Sequence, residues 1–209
     1  MDFNIEKGDQ KRIVIVGGGF GGLELAKNLR KTGMQIVLID KHNYHQFQPL
    51  IYQVASAGME PSSISFPYRR IFQKYKNLYF RLAEVKQIDV KNKKVITSIG
   101  SVSYDYVVLA AGATSNFFGN KEIEKGSMAM KSLSEAARIR NTVLANIERA
   151  ITTEDPVFRQ ELLNIVVVGG GATGVELAGV MSEMKKTILP RDYPELDASL
   201  MNVYLIQGD

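Results

Sequence analysis

The chain contains 209 residues, which predicts one large domain or two small ones. Apolar residues make up 45% and charged residues 23% of it, as in ordinary globular proteins, so a wholly disordered chain is excluded. It has no cysteine, which excludes a disulfide-rich scaffold, dithiol redox chemistry and cysteine zinc sites, and we expect no metal centre. The net charge of +4 is spread along the chain, which favours a solvated surface over nucleic-acid binding.

The sequence has no segment typical of a signal peptide or a membrane-spanning helix. Residues Met1–Arg12 are polar and charged, without the apolar core of a signal peptide. The apolar runs before the two glycine loops, Ile13–Val16 and Ile165–Val168, have four residues each, and no apolar run of the chain exceeds six, whereas a spanning helix needs about 20. We therefore expect the chain itself to be soluble, although a partner or a further segment could bring it to a membrane.

An internal repeat organises the chain. Residues 13–26 read IVIVGGGFGGLELA and residues 165–178 read IVVVGGGATGVELA, with 10 of 14 positions identical. Each copy begins with a β-branched apolar run, which is typical of a buried parallel strand. A G-x-G-x-x-G loop and an apolar helical stretch follow in both copies.

Each copy continues toward a second strand. In the first, apolar residues at helical spacing are followed by Gly33, which can cap the helix. The strand Gln35–Ile39 comes next and ends at Asp40. In the second, a helical stripe of apolar residues precedes the strand Val203–Ile206. The sequence therefore predicts an α/β protein with two Rossmann-like dinucleotide-binding folds, both incomplete in this chain.

Three kinds of segment separate the repeats. Residues 42–77 are irregular and rich in aromatic residues. Residues at about 78–105 predict short strands in a β-meander, and Tyr106 begins a further buried strand that ends at Gly112. Residues 132–152 predict a helix, in which Ser132 and Glu135 form a capping box.

The glycine loops indicate dinucleotide binding, because each follows a predicted strand and begins a helix. In the first loop Gly17 allows the tight turn, Gly19 lets a pyrophosphate approach the backbone, and Gly22 lets helix and strand pack closely. The phosphates would meet free N–H groups at the positive end of the helix. The equivalent residues of the second loop are Gly169, Gly171 and Gly174.

A polar residue follows the second strand of each copy. Asp40 lies 18 residues after Gly22, where a carboxylate can accept hydrogen bonds from both ribose hydroxyls. Gln207 occupies the corresponding position in the second copy. Glutamine can hydrogen-bond the ribose but does not repel the 2′-phosphate of NADPH. The sequence therefore predicts a preference for NADH less firmly than an Asp or Glu at this position would. Alternatively, Gln207 is only a solvent-exposed strand end.

Two dinucleotide folds imply two dinucleotides, and the usual pair is a flavin and a nicotinamide. The repeat thus predicts a flavin-dependent NAD(P)H oxidoreductase in which the protein stacks and tunes the two rings. It does not name the electron acceptor.

Several segments carry a more specific resemblance. The sequence DKHNYHQFQPLIYQVA from Asp40 to Ala55, together with residues 107–119, 166–179 and 191–200, resembles the type II NADH:quinone oxidoreductases. The glycine loops are shared with many flavoproteins, whereas the segment H-x-F-x-P-L-x-Y-Q-V-A beginning at His45 is much more specific to this family.

The resemblance implies FAD in the first fold, NADH in the second, and reduction of a membrane quinone in a respiratory chain without proton pumping. It also implies a peripheral enzyme on the cytoplasmic face of the membrane, and we expect a homodimer. By resemblance, Gln48–Leu50 lie near the isoalloxazine ring, Val85 offers its backbone to the adenine, and Glu176 lies near the stacked rings. The expected cofactor-binding residues are Gly17, Gly19, Phe20, Gly21, Gly22, Asp40, Lys41, Gln48, Pro49, Leu50, Val85, Ala111 and Gly112 for FAD, and Gly169, Gly171, Thr173, Gly174 and Gln207 for NADH.

Some of these residues also have simpler interpretations. Glu176 is either a first-turn helix acid favoured by the helix dipole, at a position that is also acidic in the other copy (Glu24), or a catalytic group. As a catalytic group it would position the nicotinamide or supply a proton route to the quinone. His42 and His45 fit packed or surface positions better than a proton relay. The aromatic residues of 42–77 fit a core better than quinone contacts.

The family is about twice as long as this chain. We therefore expect an N-terminal fragment, with residues 1–116 forming the first part of the FAD domain and residues 117–209 the first part of the NADH domain. The rest of both domains and the membrane-binding end would lie in the absent part. The fragment alone is expected to hold FAD weakly or not at all, to reduce no quinone and to self-associate.

Other functions remain open at this point. Disulfide reductases with the same folds need cysteines that this chain lacks. A reductase of a ferredoxin or rubredoxin is the main alternative enzyme, and residues 44–55 argue against it. A redox-linked protein that senses NADH is an alternative from another class.

Overall fold

The computed structural model describes residues 3–208. Up to residue 114, its strands and helices run in this order: β1 Arg12–Val16, α1 Phe20–Asn28, β2 Gln35–Asp40, β3 Tyr44–Gln46, α2 Ile51–Ala55, β4 Ser65–Pro67, α3 Tyr68–Ile71, β5 Leu78–Leu82, β6 Val85–Asp89, β7 Lys94–Thr97, β8 Gly100–Ser103 and β9 Tyr106–Leu109. The remaining elements are α4 Lys121–Gly126, α5 Leu133–Thr152, α6 Pro156–Leu163, β10 Asn164–Val168, α7 Ala172–Thr187, α8 Leu189–Asp192 and β11 Asn202–Ile206.

The chain forms two compact units. The first contains the residues up to Gln46 together with Ser65–Thr114, and the second contains Phe47–Ile64 with the residues from Ser115 onward. Helix α2, in residues 47–64, packs against α5 and α7 within the second unit. The assignment of residues 1–116 to an FAD domain and of residues 117–209 to an NADH domain stays a prediction.

The first unit is built on a parallel sheet with the strand order β5-β2-β1-β9. Val14 lies beside Val37 of β2 and Val107 of β9, so the four strands run together and their carboxyl ends meet at one edge. The strand–helix–strand unit predicted from the first repeat is confirmed. Both central strands are buried on both faces, as parallel strands usually are.

Alternate residues of the central strands enter two separate cores, because successive side chains of a strand point to opposite faces. Ile15 and Leu38 pack with Leu23 of α1 and with the aromatic residues of α3 and β5. Val14 and Val37 pack against an antiparallel sheet, β6-β7-β8, which contributes Val95 and Val102. The first unit therefore has helices on one face of the parallel sheet and a small β-meander on the other.

The meander is shorter than the sequence predicts. Residues 78–82 were expected to belong to it, but β5 pairs in parallel with β2. Phe80 is buried in the same core as Ile36 and Leu38, which ties β5 to the parallel sheet. Only residues 85–103 form the antiparallel meander. The short alternating pattern specified a strand but not the partner with which it would pair.

In the second unit, β10 and β11 pair in parallel and α7 connects them in sequence. The predicted capping box is confirmed: the Ser132 hydroxyl accepts a hydrogen bond from the Glu135 N–H, and the Glu135 carboxylate accepts one from the Ser132 N–H. Helix α5 packs against α2 and α6. Among residues 3–208, no helix combines the length and apolar character needed to cross a bilayer.

The strands β9 and β10 are less buried than the sequence predicts. Val166 and Val168 of β10 and Tyr204 and Ile206 of β11 lie on one face of their sheet and are each between 49% and 55% exposed. Leu109 at the end of β9 is 67% exposed. The prediction of buried strands was wrong here, because helix α7 packs with β10 and β11 but leaves this face of their sheet open to solvent.

We expect this apolar face to drive self-association of the 209-residue chain, because covering it removes apolar surface from water. Replacing both Val166 and Tyr204 by Lys should lower the associated fraction, as measured by light scattering after size-exclusion chromatography across a concentration series. Val157→Lys is the matched control, since Val157 is 67% exposed on α6, away from the sheet. A chain that stays monomeric at every concentration would contradict the expectation.

Candidate functional site

The carboxyl edge of the parallel sheet brings the predicted residues of the first unit together. Val16, the last residue of β1, lies beside Ile39 of β2 and Leu109 of β9. The glycine loop, Asp40 and the Ala111–Gly112 segment therefore follow neighbouring strand ends. In open parallel sheets, ligands bind at this edge.

Two glycines of the first loop are required by the fold. Gly17 has φ of +98°, and a Cβ added there would lie 2.2 Å from the Ala110 carbonyl oxygen. A Cβ at Gly22 would lie 1.9 Å from the Gly17 carbonyl oxygen. Gly17 thus makes the tight turn and Gly22 the close helix–strand approach that their spacing predicts.

Two further glycines of the loop, Gly19 and Gly21, face open space. No atom lies within 4 Å of a Cβ added at Gly19 or Gly21. Helix α1 begins at Phe20 after the N-cap Gly19, with no side-chain cap and no acid in its first turn. Because the first N–H groups of a helix have no partner within it, this end can receive an anion such as a pyrophosphate.

Asp40 lies at the carboxyl edge of the parallel sheet and also forms hydrogen bonds that hold the first glycine loop. Its Oδ2 accepts a hydrogen bond of 2.6 Å from the Gly18 N–H, and its Oδ1 accepts one of 2.8 Å from the His42 N–H. A carboxylate has about four acceptor positions, so this geometry leaves acceptor capacity for ribose hydroxyls. Lys41 follows as an exposed residue.

Two side chains that sequence reasoning treated as packing residues also contact this loop. The Tyr68 hydroxyl donates a hydrogen bond of 2.7 Å to the Gly18 carbonyl, and His45 Nδ1 lies 3.0 Å from the same oxygen. Both side chains are buried. The signal in the sequence was Gly18 itself, a glycine at a position where the motif does not require one.

The phenol of Tyr68 stays protonated in this setting. Burial, and after it the negative charge of Asp40, raises the pKa of the Tyr68 phenol above its ordinary value. The Asp40 Oδ2 lies 3.4 Å from the hydroxyl oxygen. At neutral pH Tyr68 is therefore a hydrogen-bond donor, as its contact with a carbonyl requires.

The second glycine loop repeats this geometry. Gly169 has φ of +111°, and a Cβ at Gly174 would lie 1.9 Å from the Gly169 carbonyl oxygen, whereas Gly171 faces open space. Helix α7 begins with no side-chain cap and no acid in its first turn, where Thr173 is exposed. The unit offers a second helix N-terminus to an anion.

Gln207 stands where Asp40 stands in the first unit. Val168 pairs with Ile206 as Val16 pairs with Ile39, so each polar residue directly follows the equivalent strand position. The Gln207 Oε1 accepts a hydrogen bond of 2.5 Å from the Gly170 N–H, the counterpart of the bond from Gly18 to Asp40.

The remaining predicted residues are more dispersed. Glu176 is exposed in the second turn of α7, and its carboxylate has no ion pair or hydrogen bond among the described residues. Glu24, its counterpart, pairs with Lys27. Val85 begins β6 in the first unit, whereas Gln48–Leu50 form a 3₁₀ turn grouped with the second unit.

The glycine geometry predicts that two similar substitutions change the stability of the fold by very different amounts. Gly22→Ala should lower the free energy of unfolding by at least ~2 kcal/mol, because the new methyl would collide with backbone. Gly21→Ala, the matched control, should lower it by no more than ~0.5 kcal/mol, because nothing lies near the new methyl. Urea unfolding of both variants measures the difference, and equal losses of stability would contradict the assigned roles.

Comparison with known proteins agrees with this geometry. The family model for pyridine nucleotide-disulphide oxidoreductases matches residues 11–208. The chain is 36% identical to the type II NADH:quinone oxidoreductase Ndh of Mycobacterium tuberculosis, over 94% of this chain and 43% of that protein. It is 34% identical to the mitochondrial external alternative NAD(P)H-ubiquinone oxidoreductase B2 of Arabidopsis thaliana, over 96% of this chain and 36% of that protein.

A solved structure of NDH2 from Plasmodium falciparum in complex with NADH has the same fold, with a TM-score of 0.87 at 23% identity. The similarity covers 95% of this chain and 42% of that one. The chain thus spans less than half the length of these relatives. It belongs to the pyridine nucleotide-disulphide oxidoreductase family, whose model matches residues 11–208.

Proposed function

We propose that the first glycine loop binds FAD and the second binds NADH. The observation that carries this proposal is the duplicated geometry: each loop follows a parallel strand and precedes a helix without a side-chain cap. In each loop the N–H of the second residue, Gly18 or Gly170, donates a hydrogen bond to the polar side chain at the carboxyl end of the neighbouring strand. Two such cradles suit two dinucleotides. The resemblance to NADH-dependent flavoenzymes supports FAD as the ligand of the first.

The residues present fit these cofactors. Gly19 and Gly21 leave room that a side chain would fill, so the FAD pyrophosphate can approach the start of α1. Asp40 would accept hydrogen bonds from the FAD ribose, with Lys41 beside it. Further FAD contacts are proposed for Gly17, Phe20, Gly22, Gln48, Pro49, Leu50, Val85, Ala111 and Gly112.

In the second unit, Gly169, Gly171, Thr173 and Gly174 would surround the NADH pyrophosphate, and Gln207 would bind the ribose. Glu176, exposed on the helix that opens this loop, is proposed to position the nicotinamide as a catalytic residue. Residues 1–116 would then contribute to the FAD domain and residues 117–209 to the NADH domain.

The whole protein is proposed to oxidise NADH and reduce a membrane quinone. FAD, when bound, would accept a hydride from NADH and pass electrons to the quinone. The protein's own residues would bind and orient the two dinucleotides and exclude water from between their rings. Similarity to proteins named NADH:quinone and NAD(P)H-ubiquinone oxidoreductases supports this activity. Homodimerisation and peripheral attachment to the cytoplasmic membrane face are part of the proposal.

The proposal predicts a two-stage response of the holoenzyme to its substrates. Anaerobic NADH should bleach the flavin absorbance band, and a menaquinone or ubiquinone analogue added afterwards should restore it over many turnovers. A rubredoxin or ferredoxin, added instead, is the control acceptor and should restore it slowly. Bleaching without catalytic turnover by any quinone would favour the NADH-sensing alternative and contradict the proposal.

The position of Gln207 predicts its effect on nucleotide choice. Gln207→Glu should raise the ratio of kcat/KM for NADH to that for NADPH, because a carboxylate repels the 2′-phosphate. Two unit charges 4 Å apart in water interact by about 1 kcal/mol, or roughly fivefold. Gln207→Leu is the control, since it removes the amide without adding charge and should leave the ratio unraised. An unchanged ratio in Gln207→Glu would place Gln207 away from the ribose.

A further inference from the structure

The peptide groups around Gly18 are held on both sides by side chains from distant parts of the first unit. The Gly18 N–H donates to Asp40, and the Gly18 carbonyl lies 2.7 Å from the Tyr68 hydroxyl and 3.0 Å from His45 Nδ1. A carbonyl only accepts hydrogen bonds, so His45 carries its proton on Nδ1. Both acceptor positions of the Gly18 oxygen are therefore used.

The anchored carbonyl also orients the next amide. The Gly18 C=O and the Gly19 N–H belong to one planar peptide group, and the described chain contains no cis peptide bond. In a trans peptide these two groups point in opposite directions. With its oxygen held toward Tyr68 and His45, this peptide must direct the Gly19 N–H away from them. Open space surrounds the position of a Cβ on Gly19.

The anchor is rigid because Tyr68 cannot easily move. Its side chain is 2% exposed, and its ring stacks on Phe72 and lies 5.0 Å from the ring of Phe80. A Cβ added at Gly18 would lie 2.3 Å from the Tyr68 Oη and 2.4 Å from its Cζ. The tyrosine ring thus explains why glycine occupies this variable position of the motif.

His45 is held in a similar way. It is 5% exposed, lies on β3, which pairs with β4 directly before Tyr68, and its ring meets that of Phe20 edge to face at 5.2 Å. Phe20 is the first residue of α1. His45 therefore contacts both the anchored carbonyl and the beginning of the helix whose N–H groups face the open edge.

The second loop lacks this arrangement. Gly170 donates its N–H to Gln207, but within the described part of the chain no side chain bonds to its carbonyl. The three atoms nearest to a Cβ added at Gly170 all belong to the Gln207 side chain. The two-residue anchor is therefore specific to the first loop and does not follow from the repeated motif.

We propose that Tyr68 and His45 are positioning residues for the FAD pyrophosphate: by holding the Gly18 carbonyl they keep the Gly19 N–H directed at the phosphates. The inference rests on the proposed function for the identity of the dinucleotide. Both residues act through the Gly18 carbonyl, so the effect is expected in cofactor retention and in the phosphate environment.

The test uses the FAD-loaded holoenzyme and Tyr68→Phe, which removes the hydroxyl and keeps the ring. FAD dissociation should become roughly five- to tenfold faster, as expected for the loss of one buried hydrogen bond. The ³¹P resonances of the bound pyrophosphate should shift. The matched control is Tyr75→Phe, since Tyr75 belongs to the same aromatic cluster and packs edge to face against Phe72. It should leave the dissociation rate within twofold and the resonances in place.

A second pair of variants tests the same contact without relying on the hydroxyl. Gly18→Ala should speed FAD loss because its methyl collides with the Tyr68 ring. Adding Tyr68→Ala removes the collision. The FAD dissociation rate of the double variant should therefore rise by less than the product of the fold-increases of the two single variants. His45→Leu should speed FAD loss even if Tyr68→Phe does not fold.

The outcomes separate the two proposals. A full-length wild-type enzyme that retains no FAD overturns the FAD assignment and this inference with it. A flavin-loaded wild type whose Tyr68→Phe and His45→Leu variants release FAD at the wild-type rate, with unshifted ³¹P resonances, overturns this inference alone. Equal effects of Tyr68→Phe and Tyr75→Phe do the same, because they would reflect general packing.

Discussion

The close approach of Gly22 to the carbonyl of Gly17 is the contact on which the first unit depends. Helix α1 can follow β1 so tightly only because neither residue has a side chain at this crossing, where a Cβ would lie 1.9 Å from the carbonyl oxygen. The tight turn sets the start of the helix at the edge where the parallel strands end. Asp40 reaches the loop because β2 ends at the same edge. The candidate site is thus a consequence of strand alignment.

The second unit uses the same contact between Gly174 and Gly169 but differs in what supports its loop. A neutral amide, Gln207, takes the position of a carboxylate, and the loop has no equivalent of the buried tyrosine and histidine. One motif therefore appears in two settings: a charged, rigidly anchored loop in the first unit and a neutral, more exposed loop in the second. The two loops would therefore offer different surroundings to the two dinucleotides proposed for them.

The aromatic cluster of the first unit has two roles because of this anchor. Tyr68, Phe72 and Phe80 fill the core beneath the parallel sheet, as the abundance of aromatic residues in 42–77 indicates. The hydroxyl of Tyr68 uses the rigidity of that core to hold a backbone carbonyl at the site. Core packing and the geometry of the loop are therefore coupled, because a shift of the ring would move the Gly18 peptide.

The sequence by itself determined the local features: the repeated strand–loop–helix units, the special glycines, the polar residue after each second strand, and the capping box at Ser132. Each depends on neighbouring residues or on a fixed spacing. Tertiary structure alone decided that β5 joins the parallel sheet and that residues 47–64 pack with the second unit. It also brought Tyr68 and His45 to Gly18, 50 and 27 residues away in sequence. Such pairings depend on which distant surfaces fit together, and local periodicity carries no record of that choice.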